Sequence, residues 1–208
     1  MPTQRPAQAI KLYGNPLSGH SHRVQLLLSL LDLPHEMIEV DLHNGALRQA
    51  EFLAKNPFGE IPVIEDGDLR LYDSNAILVY LASRYDDGAW LPRDPIGAAQ
   101  VQRWLGLSAG LVYFGPNRAR LAQLAKQPFD HAQAQQLSER LLANLQRDLA
   151  DKAFALGDAP TIADVSAYAY IALAQAGGVP FERWPNVRAW LARIEALPRF
   201  VPLLGAGA

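Results

Sequence analysis

The 208 residues predict an α/β region followed by an all-helical one. Three observations carry that expectation. Short β-prone runs alternate with helical periodicity only in the first 85 residues; turn formers crowd 86–95, Asp-Asp-Gly-Ala-Trp-Leu-Pro-Arg-Asp-Pro; beyond them the apolar spacing stays helical. We therefore expect one domain over 1–85, a linker over 86–94 and a second, all-helical domain over 95–208. A chain of this length and apolar content holds enough core for one or two domains.

In the first region, Ala9 to Tyr13 and Glu36 to Leu42 read as strands. Between them Val24, Leu27, Leu28 and Leu31 share one helical face. Pro62 to Glu65 and Leu69 to Tyr72 read as a hairpin turning at Asp66-Gly67, and Ile77, Leu78 and Leu81 mark a helix after it. A short helix is expected in the segment joining the second strand to the hairpin. In the second region Asp94-Pro95 supplies a cap and a proline suited to the first helical position, and apolar residues continue through Val101, Trp104, Leu105 and Leu111. Leu137, Leu141, Leu142, Leu145 and Leu149 keep one face from about 130 to 151. Thr161-Ile162-Ala163-Asp164 has the form of a capping box, and Pro185 to Ile194 gives a further helix.

Composition limits the function classes. Nineteen basic and 21 acidic residues leave a formal charge of -2 without blocks of either sign, so neither a nucleic-acid nor an anionic-membrane surface is expected. No cysteine is present, which excludes disulfides, thiolate metal sites and cysteine nucleophiles; sulfur chemistry would have to come from a ligand. Residues 1 to 9 lack the apolar run of a secretion signal and no segment has the length of a membrane span, so a soluble, cytoplasmic protein is expected.

Residues 56 to 77 hold the most specific signal. Pro62 stands between Ile61 and Val63, where it removes an amide donor from a β-prone segment. A cis Ile61-Pro62 bond would turn the Ile61 backbone outward toward an extended ligand. Asp73-Ser74 precedes the helix of Ile77, so Ser74 and the following amides lie at a helix N-terminus, where anions are stabilised. A ligand with a peptide middle and a carboxylate end suits both features.

Lys11-Leu12-Tyr13, Asn56-Pro57-Phe58-Gly59-Glu60-Ile61-Pro62, Asp73-Ser74-Asn75-Ala76-Ile77 and Thr161-Ile162-Ala163-Asp164 stand in the order and spacing of the cytosolic glutathione transferase family, which the chain resembles over nearly its whole length. The resemblance is to its serine-type branches, bacterial and theta- or phi-like. It implies a thioredoxin-like N-terminal domain that binds glutathione, a helical C-terminal domain contributing the electrophile pocket, and a homodimer. The expected activity is detoxifying conjugation of the glutathione thiolate to a small hydrophobic electrophile, with glutathione as co-substrate and no metal. A non-catalytic scaffold on the same fold, or a glutathione-dependent peroxidase, isomerase or dehalogenase, is the alternative.

The resemblance also assigns roles. Ser18, between the first strand and the first helix, matches the thiolate-stabilising serine; Ser21 is the second candidate, and either serine could simply cap the helix. Arg23 follows Ser18 by five residues, where serine-type relatives have an arginine at four. Ser74 would take the γ-glutamyl carboxylate, Asp73 its amino group, and Ile61 beside Pro62 the peptide middle. Arg48 would meet the glycyl carboxylate, with Leu47 in place of the plant-like histidine and Glu60 in place of glutamine or lysine; Lys55 and His43 are weaker candidates. Leu107, Leu111 and Tyr113 would line the electrophile pocket. His20 and His22 lie two apart, a spacing unsuited to a shared metal on a helix, and are expected to flank the glutathione site or face solvent. Phe58 would insert into a partner subunit or pack at home, and Tyr13 is expected to pack.

Overall fold

Strand β1 (Ile10–Gly14) sits inside a four-stranded sheet of order β2-β1-β3-β4 in the computed structural model, which describes residues 5–124 and 127–204. It pairs parallel with β2 (His35–Glu39), Leu12 opposite Met37, and antiparallel with β3 (Val63–Asp66), Leu12 opposite Ile64. A parallel pair needs a crossover. Helix α1 (Gly19–Leu30) provides it, burying Val24, Leu27 and Leu28. The hairpin of β3 with β4 (Leu69–Tyr72) turns at Asp66-Gly67, with Gly67 at φ +58, and leads into α3 (Ser74–Tyr85). Helices α1 and α3 bury Leu27, Leu28, Ile77, Leu78 and Leu81 together with Ile10, Leu12 and Ile64 of the sheet. Val40, Phe52 and Val63 form a second cluster, closed by Tyr13, Leu47, Ile61 and Tyr72. Helix α2 (Ala50–Leu53) contributes Phe52 and follows a 3-10 turn over Ala46–Arg48. This is the thioredoxin-like arrangement expected.

Strand β2 starts and stops earlier than the expected Glu36 to Leu42. Asp41 explains its end: its Oδ1 accepts the amides of His43 at 2.7 Å and Asn44 at 3.3 Å, so the chain turns on a side chain instead of continuing the ladder.

The described residues fall into two units. The first runs to Gly88 and includes Pro198–Leu204; the second is Ala89–Leu197. Residues 198–204, assigned by sequence to the helical region, therefore pack with the first unit. His22 holds them: its Nε2 lies 2.8 Å from the Val201 carbonyl, its ring meets Phe200 edge-on at 6.5 Å, and Ser29 Oγ donates to the Arg199 carbonyl at 2.8 Å. Thus His22 is buried structure and does not face solvent.

The second unit is helical. Asp94 caps α4 (Pro95–Leu107) through the amides of Ile96 and Gly97, as its position before Pro95 predicts. A π-helical stretch, Ser108–Asn117, follows; the sequence reading runs an ordinary helix on through Leu111. Pro116, which has no N–H to give, lies inside it, and a Cβ at Gly115 would come within 3.0 Å of the Ser138 amide. After α5 (Arg118–Leu124) come α6 (His131–Asp148), capped by Asp130, α7 (Ile162–Ala172) and α8 (Pro185–Glu195). Trp104 and Trp190, 6.1 Å apart by ring centroid, centre a core with Leu141, Leu142, Leu145, Tyr168, Val187 and Ile194. Among the described residues no helix is long and apolar enough to cross a membrane.

Candidate functional site

A cavity of about 300 Å³ in the first unit is lined by Glu60, Ile61, Pro62, Asp73 and Ser74, all singled out by sequence, together with His20, Asn56, Phe58 and Tyr72. Local chemistry explains why these residues converge. Asn56 is 2% exposed; its amide donates to the Glu60 carbonyl at 2.7 Å while its Oδ1 accepts the Phe58 amide at 3.0 Å, folding Asn-Pro-Phe-Gly back on itself. The turn delivers Ile61 and Pro62, joined by a cis peptide, to the edge of β3. Across the cavity Asp73 caps α3, accepting the Ala76 amide at 2.8 Å. Its φ of 70 is rarely adopted by a residue with a side chain and costs about 1 kcal/mol or more, a strain typical of ligand-facing turns. Ser74 is the first residue of the helix, so its hydroxyl lies at the positive end of the helix dipole.

Helix α1 supports this wall from behind. Arg23, 1% exposed, donates through Nη1 to Ser74 Oγ at 3.3 Å and to Asn75 Oδ1 at 3.1 Å. His20 places Nδ1 3.2 Å from the same Ser74 oxygen. Desolvation, then the neighbouring Arg23 charge, lower the His20 pKa to about 3, so the imidazole is neutral near pH 7. Ser18 caps α1, its Oγ accepting the Ser21 amide at 3.3 Å, and the residue is partly exposed. A hydroxyl that accepts with one lone pair keeps its proton to give, so the cap and a donor role coexist. Ser21 is different. It is fully buried, accepts the Asn15 amide at 3.2 Å, and its side chain would lie 2.9 Å from a Cβ on Gly14.

Residues 8–83 match the family model described as Glutathione S-transferase, N-terminal domain, and 118–193 that described as Glutathione S-transferase, C-terminal domain. Glutathione S-transferase 3 of Zea mays is 36% identical over 95% of this chain and 94% of its own length. The chain belongs to the glutathione transferase family. A maleylacetoacetate isomerase of Pseudomonas aeruginosa is 31% identical over 92% of this chain and 93% of its own. Among solved structures, a glutathione S-transferase from Pseudomonas fluorescens superposes with a TM-score of 0.89 at 33% identity, covering 95% of this chain and all of that one. The protein is an enzyme of this family, on a thioredoxin-like domain followed by a helical one.

The remaining sequence-derived candidates are scattered. Arg48 is exposed and lies outside the cavity lining; its Nη1 donates to the Phe58 carbonyl at 3.4 Å. Lys55 is committed elsewhere, to Glu65 Oε1 at 3.3 Å and Tyr13 Oη at 3.4 Å, and Tyr13 itself donates to Glu65 Oε2 at 2.8 Å. His43 is exposed on the Asp41 turn. Phe58 is 65% exposed, its ring edge-on to Tyr72 at 5.9 Å. In the helical unit Leu107 and Leu111 share a groove of about 510 Å³ with Arg103, Leu141, Asn144, Leu145, Arg147 and Asp148. Tyr113 does not join them. It meets Phe114 at 5.3 Å and lies under Arg118, in the π-helical stretch. No group of three or more potential metal ligands converges among the described residues. Sequence reasoning left Asn56 and Tyr72 out of the site; the Asn-Pro-Phe-Gly turn was the available signal for Asn56.

Proposed function

We propose that this enzyme binds glutathione in the cavity of its first unit, holds the sulfur as thiolate through the Ser18 hydroxyl, and conjugates it to a small hydrophobic electrophile. The gathering of Glu60, Ile61, Pro62, Asp73 and Ser74 around one cavity, at the N-terminus of α3, is the observation that carries this reading. Ser74 with the first amides of α3 takes the γ-glutamyl carboxylate, Asp73 takes the amino group, and the Ile61 backbone takes the peptide middle. Arg48, bonded to the backbone of cavity-lining Phe58, takes the glycyl carboxylate, with Glu60 opposing it.

A free thiol has a pKa of about 8.5, so only a few per cent is ionised near neutrality. Lowering it by about two units requires about 2.7 kcal/mol of preferential anion stabilisation, within reach of one hydroxyl and a helix N-terminus. Ser18 caps α1 with its proton still available, whereas Ser21 is sealed; this favours Ser18. The thiol proton leaves to solvent, the sulfur lone pair forms the new bond to carbon, and the electrophile's leaving group departs or its double bond takes the electrons.

The electrophile is assigned to the helical unit, with Leu107 and Leu111 as apolar contacts and Tyr113 in a separate place. Residues 1–85, 86–94 and 95–208 are proposed as glutathione domain, linker and helical domain, the last sending 198–204 back to pack in the first unit. We assign a homodimer in the cytoplasm, to be checked by light scattering at micromolar concentration.

Titration calorimetry with glutathione tests the reading. Binding at or below millimolar concentration with conjugate formation supports it; a well-folded protein without binding identifies a scaffold instead. Similarity to the maleylacetoacetate isomerase favours a second reading, in which the same thiolate adds to a double bond and leaves again, isomerising it. Turnover of maleylacetoacetate without net glutathione consumption would select it.

A further inference from the structure

Arg118 opens α5 and lines a cavity of about 240 Å³ in the helical unit, shared with Phe114, Phe129, Asp130, Gln133 and Leu137. This lining has no residue in common with the glutathione cavity or with the groove of Leu107 and Leu111. The guanidinium carbon lies 4.3 Å from the centroid of the Phe114 ring, 4.7 Å from that of Phe129 and 5.8 Å from that of Tyr113. Ring faces attract the cation but offer no lone pair to its N–H groups. Nε is sealed from water without a hydrogen-bond partner, and among the described residues neither terminal nitrogen of Arg118 has a protein acceptor or a carboxylate within ion-pair distance. Asp130 is turned to another task, capping α6 with Oδ1 on the Gln133 backbone amide at 2.9 Å. Other arginines of the unit are committed: Arg103 pairs with Asp148 at 3.2 Å, and Arg193 donates to the Ala153 and Lys152 carbonyls. Arg118 faces its cavity with donors unspent.

We propose that this cavity is a further ligand site, for a small monoanionic carboxylate with an apolar or aromatic body, held by the terminal nitrogens of Arg118. A planar carboxylate meets that edge with two parallel hydrogen bonds, and the surrounding rings exclude water, so the pair gains more than an exposed one would. Phe114, Phe129 and Leu137 supply apolar contact for the body, and Phe114 is 41% exposed, with area left to bury. Asp130 sets the charge limit. One carboxylate neutralises Arg118, whereas a phosphate or a dicarboxylate brings surplus negative charge against Asp130. The occupant is bound and released unchanged, with no bond made or broken.

Fluorescence titration with naphthoate tests this on the full chain without glutathione, against the neutral isostere naphthamide and with inorganic phosphate as competitor. Wild type should bind naphthoate about tenfold tighter than naphthamide, and phosphate at equal concentration should not displace it. Arg118→Gln should abolish the preference, and Arg118→Lys should keep only part of it, because a point charge lacks the planar fork. Leu137→Trp, which fills the cavity and leaves every charge in place, should block naphthoate; if Arg118→Gln does not fold, this variant decides. Equal binding of naphthoate and naphthamide, no binding of either up to millimolar concentration, displacement by phosphate, or naphthoate binding that survives Arg118→Gln or Leu137→Trp overturns the proposal. Displacement of naphthoate by glutathione overturns it too, since that places the probe in the cavity of the first unit. Glutathione binding is read in its own titration, so the loss of either site leaves the other standing.

Discussion

Two helix starts in this molecule have nearly the same sequence chemistry and opposite fates. At α7, Asp164 is 1% exposed and spends both oxygens on the protein, accepting the Ala155 amide at 2.7 Å, Thr161 N at 2.8 Å, Thr161 Oγ1 at 3.2 Å and Trp190 Nε1 at 2.8 Å. At α3, Asp73 is exposed and takes the Ala76 amide, while Ser74 beside it faces a cavity. Asp73 is the N-cap of α3, whereas Asp164 is the third residue of α7 and completes the box begun by its N-cap Thr161. What separates them is how much hydrogen-bonding capacity the fold has already consumed: the α7 pair ties a helix to a loop and to Trp190, whereas the α3 pair retains capacity for a ligand.

That contrast orders the expected effects of substitution. Asp164→Ala strands four donors in the core and should cost about 3 kcal/mol, a fall in Tm of about 10 °C by calorimetry. A loss of only a degree or two would mean the α7 cap is not a structural anchor. Ser18→Ala should reduce kcat about a hundredfold with a smaller change in glutathione Kd, since the contact strengthens when sulfur is charged. Undiminished turnover would remove the hydroxyl from the chemistry. Ser74→Ala, in turn, should raise glutathione KM about tenfold while Tm shifts little, because Asp73 still caps α3. If Ser74→Ala instead behaved like Asp164→Ala, in Tm and not in KM, the two helix starts would be alike.

The smallest effect is in pH. Burial lowers the pKa of His20 to about 3, and that of His22 also falls, so the unfolded chain takes up protons below about pH 6.5 that the folded one refuses. Stability should therefore decline as pH falls from 7 to 6, by about 1 kcal/mol. Carboxylates held below their usual range by partners, Asp32 by Arg5 and Asp41 by its turn, add their own losses only at lower pH. Chemical denaturation at pH 7 and pH 6, on wild type and His20→Asn, resolves the histidine share.

Much of this was legible beforehand because it is local. The hairpin about Asp66-Gly67, the caps at Asp94 and Thr161, and the helix start at Asp73-Ser74 depend on neighbours within a few residues. The family resemblance then placed Ile61, Pro62, Asp73 and Ser74 together, which spacing alone does not. Contacts across long separations were not legible. Nothing in His22 announces Val201, 179 positions away, and nothing in Arg23 announces Ser74, 51 away. The π-helical stretch over Ser108–Asn117 was not legible either, since the apolar spacing there reads as an ordinary helix.

The central claim is that a partly exposed serine hydroxyl at the start of α1 keeps a bound thiol ionised in a chain that has no cysteine of its own. The ultraviolet difference spectrum of glutathione titrated onto the protein, read between pH 5 and 9, measures this directly. Thiolate on wild type at neutral pH, with the apparent pKa returning toward that of free glutathione in Ser18→Ala, is the predicted result; bound glutathione that stays protonated at pH 7 in wild type, or one ionised equally in Ser18→Ala, contradicts it.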